Sequence, residues 1–268
     1  MPRLSQRMPD FQNVVAGGRA TANLPVGATY NVIGIPYKLG GTPATEAEIN
    51  SDIEEVLLKI NGKEKIRLTG EELLKRYKYL GHKVKNGVIP LVFSQPNTRT
   101  LVTEDALGYG TADVSTMQIE VKIASGVIDP TLELFAEQSE GRPLGEHTTI
   151  LPINRTVTST GIVQEQNINK KGRLVAIHMT TGAVTKFELK ANNNAVMDET
   201  KEVAEYLDEL DGRGHVTQSG YTHINLVRSR RHSDSLPLDN LQSLVLETDH
   251  NATGSFKYLV ERIEQFEG

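Results

Sequence analysis

The chain has 268 residues, a net charge of −5 and no cysteine. An apolar fraction of 38% beside 24% charged residues is the composition of a folded chain, and disulfides and thiolate metal centres are excluded. No apolar run approaches the roughly 20 residues of a membrane helix, the opening MPRLSQRMPDF lacks the apolar core of a secretory signal, and the negative balance argues against wholesale binding to a phosphate backbone.

The first clear strand is TYNVIGI (29–35). Residues 57–81, LLKINGKEKIRLTGEELLKRYKYLG, read as strand, Asn-Gly turn, returning strand and helix. In that helix Leu73, Leu74, Tyr77 and Leu80 form the apolar stripe, Thr69 and Glu72 have capping-box spacing, and Gly81 stands where a terminating glycine belongs. VIPLVF (88–93) follows, with Pro90 pointing to an edge strand or bulge. Met117, Ile119, Val121 and Ile123 then alternate with polar residues, the period of a half-buried strand. TLELFAE (131–137) and RLVAIHM (173–179) are further strands. Residues 186–212, KFELKANNNAVMDETKEVAEYLDELDG, repeat the earlier order of strand, turn, strand, helix and glycine, with Val203, Leu207 and Leu210 as the stripe and Gly212 at the end. THINLVRS (222–229), SLVLET (243–248) and FKYLVERI (256–263) complete the set.

The two halves can be laid over each other. Asn61-Gly62 corresponds to Asn192-Asn193, the helix near Leu74 to that near Glu205, and the strands at Val92, Glu120 and Leu134 to those at Asn225, Val245 and Leu259. Five elements keep their order at a spacing near half the chain, which is the pattern of a duplicated domain rather than a solenoid. The Gly- and Pro-containing stretch 139–149 is the expected seam, giving an N-terminal domain over 1–143 and a C-terminal domain over 144–268. The expected fold is all-β: a tandem, double jelly roll of two eight-stranded sandwiches, each with one short flanking helix.

Motifs of catalysis are missing. There is no HxH pair for a cupin-type metal, no GxSxG, no GxGxxG and no P-loop. His178 and His223 read as isolated, structural strand histidines, while His82, His147, His215, His232 and His250 fall in loop-like polar stretches. Two basic clusters stand out: Lys75, Arg76, Lys78, His82, Lys83 and Lys85, and Arg228, Arg230, Arg231 and His232. Each is either a solvated surface or a site for an anionic partner.

Residues 11–37, FQNVVAGGRATANLPVGATYNVIGIPY, carry the runs V-x-AG and LP-x-G-x-TY followed by an apolar strand. They resemble the amino-terminal segment of the corticovirus major capsid protein. The likeness continues through 57–81, RLVAIHM with the following AVTKFEL, MQIEVKI and FKYLVERI, and departs around 198–240. The resemblance implies a non-enzymatic major capsid (coat) protein of tailless icosahedral bacteriophages with an internal membrane. Three double jelly rolls would form a pseudo-hexagonal, trimeric capsomer. Implied partners are further copies of the chain, other virion proteins such as a vertex protein, and the viral membrane, with no specific nucleic acid. The implied location is the virion capsid, assembled in the host bacterial cytoplasm. On this reading no cofactor is required, structural calcium is expected between crowded carboxylates at subunit contacts, and Lys83 and Lys85 are expected to face the membrane. The alternatives from the residues are a two-domain carbohydrate- or receptor-binding β-sandwich protein and, third, a bicupin-type metalloenzyme.

Overall fold

The computed structural model describes residues 3–94, 105–210 and 213–266. The chain divides into two units: Met1–Tyr77 with Lys83–Thr149 and Gln265–Gly268, and Lys78–His82 with Ile150–Glu264.

Eight principal strands build the first unit: β1 (Leu4–Arg7), β2 (Arg19–Leu24), β3 (Thr29–Leu39), β4 (Ile53–Ile60), β5 (Lys63–Leu68), β6 (Val88–Val92), β7 (Met117–Ile123) and β8 (Phe135–Ser139). One sheet runs β2-β7-β4-β5, antiparallel throughout, with Leu24 and Ile60 both opposite Met117. The other runs β1-β8-β3-β6, again antiparallel, with Ile33 between Ala136 and Leu91. This is the jelly-roll order. Short pieces at Thr42–Pro43, Tyr109–Gly110 and Pro130–Leu132 also pair with β3. Pro90 lies in β6, at the end of its sheet, where a missing N–H costs no ladder bond. Alternation places Ile33 and Ile35 of β3, Val56 and Leu58 of β4, and Ile119 and Val121 of β7 in the core. Each such side chain contributes about 1.5–3 kcal/mol of burial.

The expected strand 131–137 is two strands, separated at Glu133 and Leu134; Glu133 N–H donates instead to Pro36 O at 3.0 Å. The motif at 24–30 has a physical basis. Tyr30 is fully buried and its hydroxyl donates to Pro25 O at 2.6 Å, while Gly27 N–H reaches Thr111 Oγ1 at 2.8 Å.

Two helices lie in the first unit's strand connections where one was expected, the second of them ending with two residues that belong to the other unit. α1 (Glu46–Asp52) is held by a Thr45/Glu48 capping box but buries only Ile49, so its apolar signal is a single residue. In α2 (Gly70–Tyr79) the predicted box forms: Thr69 N–H donates to Glu72 Oε2 at 2.8 Å and Glu72 N–H to Thr69 Oγ1 at 3.2 Å. Leu73 and Leu74 are buried as expected, but Tyr79, not Tyr77 or Leu80, is the third fully buried member. Gly81 ends the helix with φ +82° and donates to Lys78 O at 2.8 Å, a left-handed terminus that suits glycine.

The second unit repeats the pattern with β9 (Glu146–Val157, of which 150–157 lie in this unit), β10 (Gly161–Glu165), β11 (Arg173–Met179), β12 (Val184–Ala191), β13 (Asn194–Thr200), β14 (Thr222–Asn225), β15 (Leu244–His250) and β16 (Gly254–Gln265). Its sheets run β10-β15-β12-β13 and β9-β16-β11-β14. Every strand therefore has a counterpart eight labels earlier, in the same sheet position. The core contains Leu174 and Ile177 of β11, Phe187 and Leu189 of β12, Leu246 of β15 and Tyr258 and Val260 of β16.

α3 (Lys201–Asp208) starts at Thr200, whose side chain accepts from Val203 N–H. Here the expected stripe is displaced. Val203 is 46% exposed, and the buried face is Ala204 and Asp208. Gly212 lies outside the described residues. The expected strand 222–229 stops at Asn225, whose side-chain oxygen accepts from Val227 N–H at 2.9 Å and turns the chain.

Candidate functional site

The basic residues separate by environment. Lys83 and Lys85 are exposed in the segment after α2, with the neighbouring Lys75, Arg76, Lys78 and His82 half-buried. In the second cluster Arg231 is exposed, whereas Arg228, Arg230 and His232 are half-buried. Arg228 makes a two-pronged contact with Glu199 (2.7 and 2.5 Å) and donates from Nε to Asp208 at 2.9 Å. Arg230 donates to the carbonyls of Arg213 (2.6 Å), Gly214 (3.0 Å) and Leu80 (3.1 Å). Both act as ties within the second unit.

Those ties lead to a buried polar cluster. Tyr79, His178, Asp208, His215, His223 and Asn225 are each no more than 6% exposed. β11 and β14 set His178 directly opposite His223, and their Nδ1 atoms meet at 2.8 Å. His178 Nε2 faces Glu261 of β16 at 3.3 Å. The Tyr79 ring stacks on His223 with centroids 3.9 Å apart, and its hydroxyl donates to Asp208 at 2.6 Å. Burial, reinforced by Asp208, holds that hydroxyl well above the ordinary range. Burial also raises the Asp208 carboxyl and lowers His215 to about 4, the latter with help from the charge of Arg230.

The histidines thus depart from the sequence expectation in two ways. His178 and His223 are isolated in sequence but paired in space. His147, His215 and His250 are buried rather than in open loops, with His250 Nε2 against Thr248 Oγ1 at 2.9 Å and His147 Nδ1 against Gly145 O at 2.9 Å. Their partners come from other elements, which spacing along the chain does not reveal. Asp208 was missed for the same reason: it looks like one more acidic residue on an acidic helix.

Twin jelly rolls of one topology match known proteins along nearly all of the chain. Residues 5–139 match the viral coat protein P2 N-terminal domain and residues 148–266 the viral coat protein P2 C-terminal domain. The chain belongs to the viral coat protein P2 family. This coat protein is 25% identical over 270 residues to the major capsid protein P2 of Pseudoalteromonas phage PM2, covering 93% of this chain and 92% of that one. The crystal structure of the PM2 protein agrees with a TM-score of 0.89 at 23% identity, over 99% of the coat protein and 98% of that chain. The crystal structure of the major capsid protein of STIV shares the fold at lower likeness, with a TM-score of 0.69 at 10% identity over 98% and 97% of the two chains. The coat protein is a structural major capsid protein of the PM2-like kind and not an enzyme.

Proposed function

We propose that this coat protein forms homotrimers that act as pseudo-hexagonal capsomers of an icosahedral phage shell enclosing an internal membrane. The observation that carries the reading is the strand-for-strand repetition of one jelly roll in two units. Three chains then present six similar modules, and a near-sixfold prism tiles a closed surface. Other copies of the chain, a vertex protein and the membrane are its partners, and assembly takes place in the host bacterial cytoplasm. The exposed Lys83 and Lys85 are the residues that meet the anionic membrane surface.

Structural calcium belongs to the same reading. Among the described residues no three histidine or carboxylate side chains of one copy stand together as a ligand set. On that reading the carboxylates that hold the ion are contributed by more than one copy, crowded together by assembly.

Light scattering on the purified chain tests the assembly. The expected mass is about three times 29.5 kDa, and electron microscopy should show capsomers with six lobes and threefold symmetry. A strict monomer at micromolar concentration would count decisively against it.

A further inference from the structure

The buried cluster of the second unit has a hydrogen-bond direction that can be read without ambiguity. Val227 N–H donates to Asn225 Oδ1 at 2.9 Å, which fixes the orientation of that side-chain amide. Asn225 Nδ2 must then donate, and it faces Tyr79 Oη at 2.9 Å and His215 Nε2 at 3.3 Å. His215 Nε2 is consequently an acceptor, and its ring is neutral. Tyr79, its oxygen occupied as acceptor, donates onward to Asp208, which also receives Arg228. A proton on His215 Nε2 would set N–H against N–H, and Asn225 cannot turn over without abandoning Val227.

Beside this chain, one Nδ1 of the His178–His223 pair donates to the other at 2.8 Å, so that contact holds one N–H. A second one there would again oppose two donors. Charged and titratable neighbours face the cluster from every side: Glu261 from β16, Glu199 from β13, Asp208 from α3, Arg213 after α3, Arg228 and Arg230 after β14, and Tyr221 stacked towards His223. The groups that close over it are the Lys78–His82 turn, α3, and the strap at 213–217. Val216 N–H on that strap donates to Tyr79 O at 2.9 Å, and Thr217 N–H to Glu209 at 2.9 Å.

We propose that this cluster is a proton-operated lock: His215, supported by the His178–His223 pair, holds the Lys78–His82 turn, α3 and the 213–217 strap closed while neutral, and releases them on protonation. The direction of the pH effect follows from the groups involved. A histidine held down to about 4 when folded stabilises the fold above the unfolded value near 6.5 and loses that contribution as pH falls between the two. Asp208, raised by burial, acts with the opposite sign and gains as pH falls.

Segment-resolved hydrogen exchange of the full chain at pH 7 and pH 5, corrected for intrinsic rates, tests the lock. Protection of Lys78–His82 and of 199–210 should fall by about tenfold or more in acid, ahead of the strands of the first unit. His215→Gln keeps an acceptor at the Nε2 position without a titrating ring and should lose most of that acid response. Unchanged or increased protection in acid, opening that begins in β2, β4, β5 or β7, or an equal response in His215→Gln would each overturn the proposal. Should a variant fail to fold, the order of opening in the unaltered chain decides alone.

Discussion

Asn61 and Asn192 stand 131 positions apart and make the same set of bonds. Each sits in the left-handed region, at φ +48° and +49°. Asn61 Oδ1 accepts from the backbone N–H groups of Ser115 (2.8 Å) and Thr116 (3.0 Å), and Asn61 N–H donates to Thr116 O at 2.9 Å. Asn192 Oδ1 accepts from Gln242 (2.8 Å) and Ser243 (3.2 Å), and its N–H donates to Ser243 O at 3.0 Å. One residue type thus clamps the β4–β5 hairpin to the start of β7, and the β12–β13 hairpin to the start of β15.

Replacing either asparagine by alanine removes two acceptor contacts and places a Cβ-bearing residue without a polar side chain at positive φ. The expected cost is about 1–3 kcal/mol at each site. Asn→Gly at the same positions isolates the clamp from the backbone preference. Because the sites lie in different units, the double variant should show the sum of the two losses in urea unfolding. A loss at one site only would mean that the clamps are not equivalent.

Arg228 is the counter-charge of a carboxylate that is 1% exposed. Arg228→Met should destabilise the second unit by about 3–5 kcal/mol, because the buried Asp208 loses its compensating cation. Adding Asp208→Asn should recover part of that loss. Urea titration of the unaltered chain and the two variants measures it, and three identical midpoints would refute the pairing.

Charge reversal at Lys83 and Lys85 tests the proposed membrane contact. The double glutamate variant should bind vesicles containing anionic lipid at least about thirtyfold more weakly, at about 1 kcal/mol per basic residue removed from the surface. Neutral vesicles should not distinguish the variant from the parent. Equal binding to anionic vesicles assigns these lysines to solvent instead.

Chelation tests the proposed calcium. Assembled particles treated with excess EDTA at low salt should lose integrity, and added calcium should restore it, since the repulsion among carboxylates is least screened there. Particles that stay intact under those conditions dispose of the idea.

The sequence showed its duplication where local chemistry is strict. The Asn61 and Asn192 turns, the Thr69/Glu72 capping box and Gly81 each need a particular residue type for a local reason, and each is visible without tertiary information. β7 was legible because its apolar residues alternate cleanly. β2 was not: its core-facing positions are Ala20, Ala22 and Leu24, two of them too small to mark a strand. β9 and β10 mix Thr, Asn, Arg and Gln among their apolar residues and hide in the same way. α1 signals itself by Ile49 alone. The buried cluster was the least accessible feature, because Tyr79 and Asp208 are 129 residues apart and His178 and His223 are 45 apart. α3 misled for a further reason. Its outward valine and inward aspartate invert the usual rule, which holds only until a tyrosine hydroxyl and a guanidinium wait inside for the carboxylate.

The matching strand orders of the two units mean that a single gene product carries one architecture in two independently mutable versions, always in equal number. Side chains such as His178, His223 and Asp208 can be placed inside one version without being copied into its twin. A sixfold ring of identical chains could never make that distinction, since every substitution would appear at all six places at once.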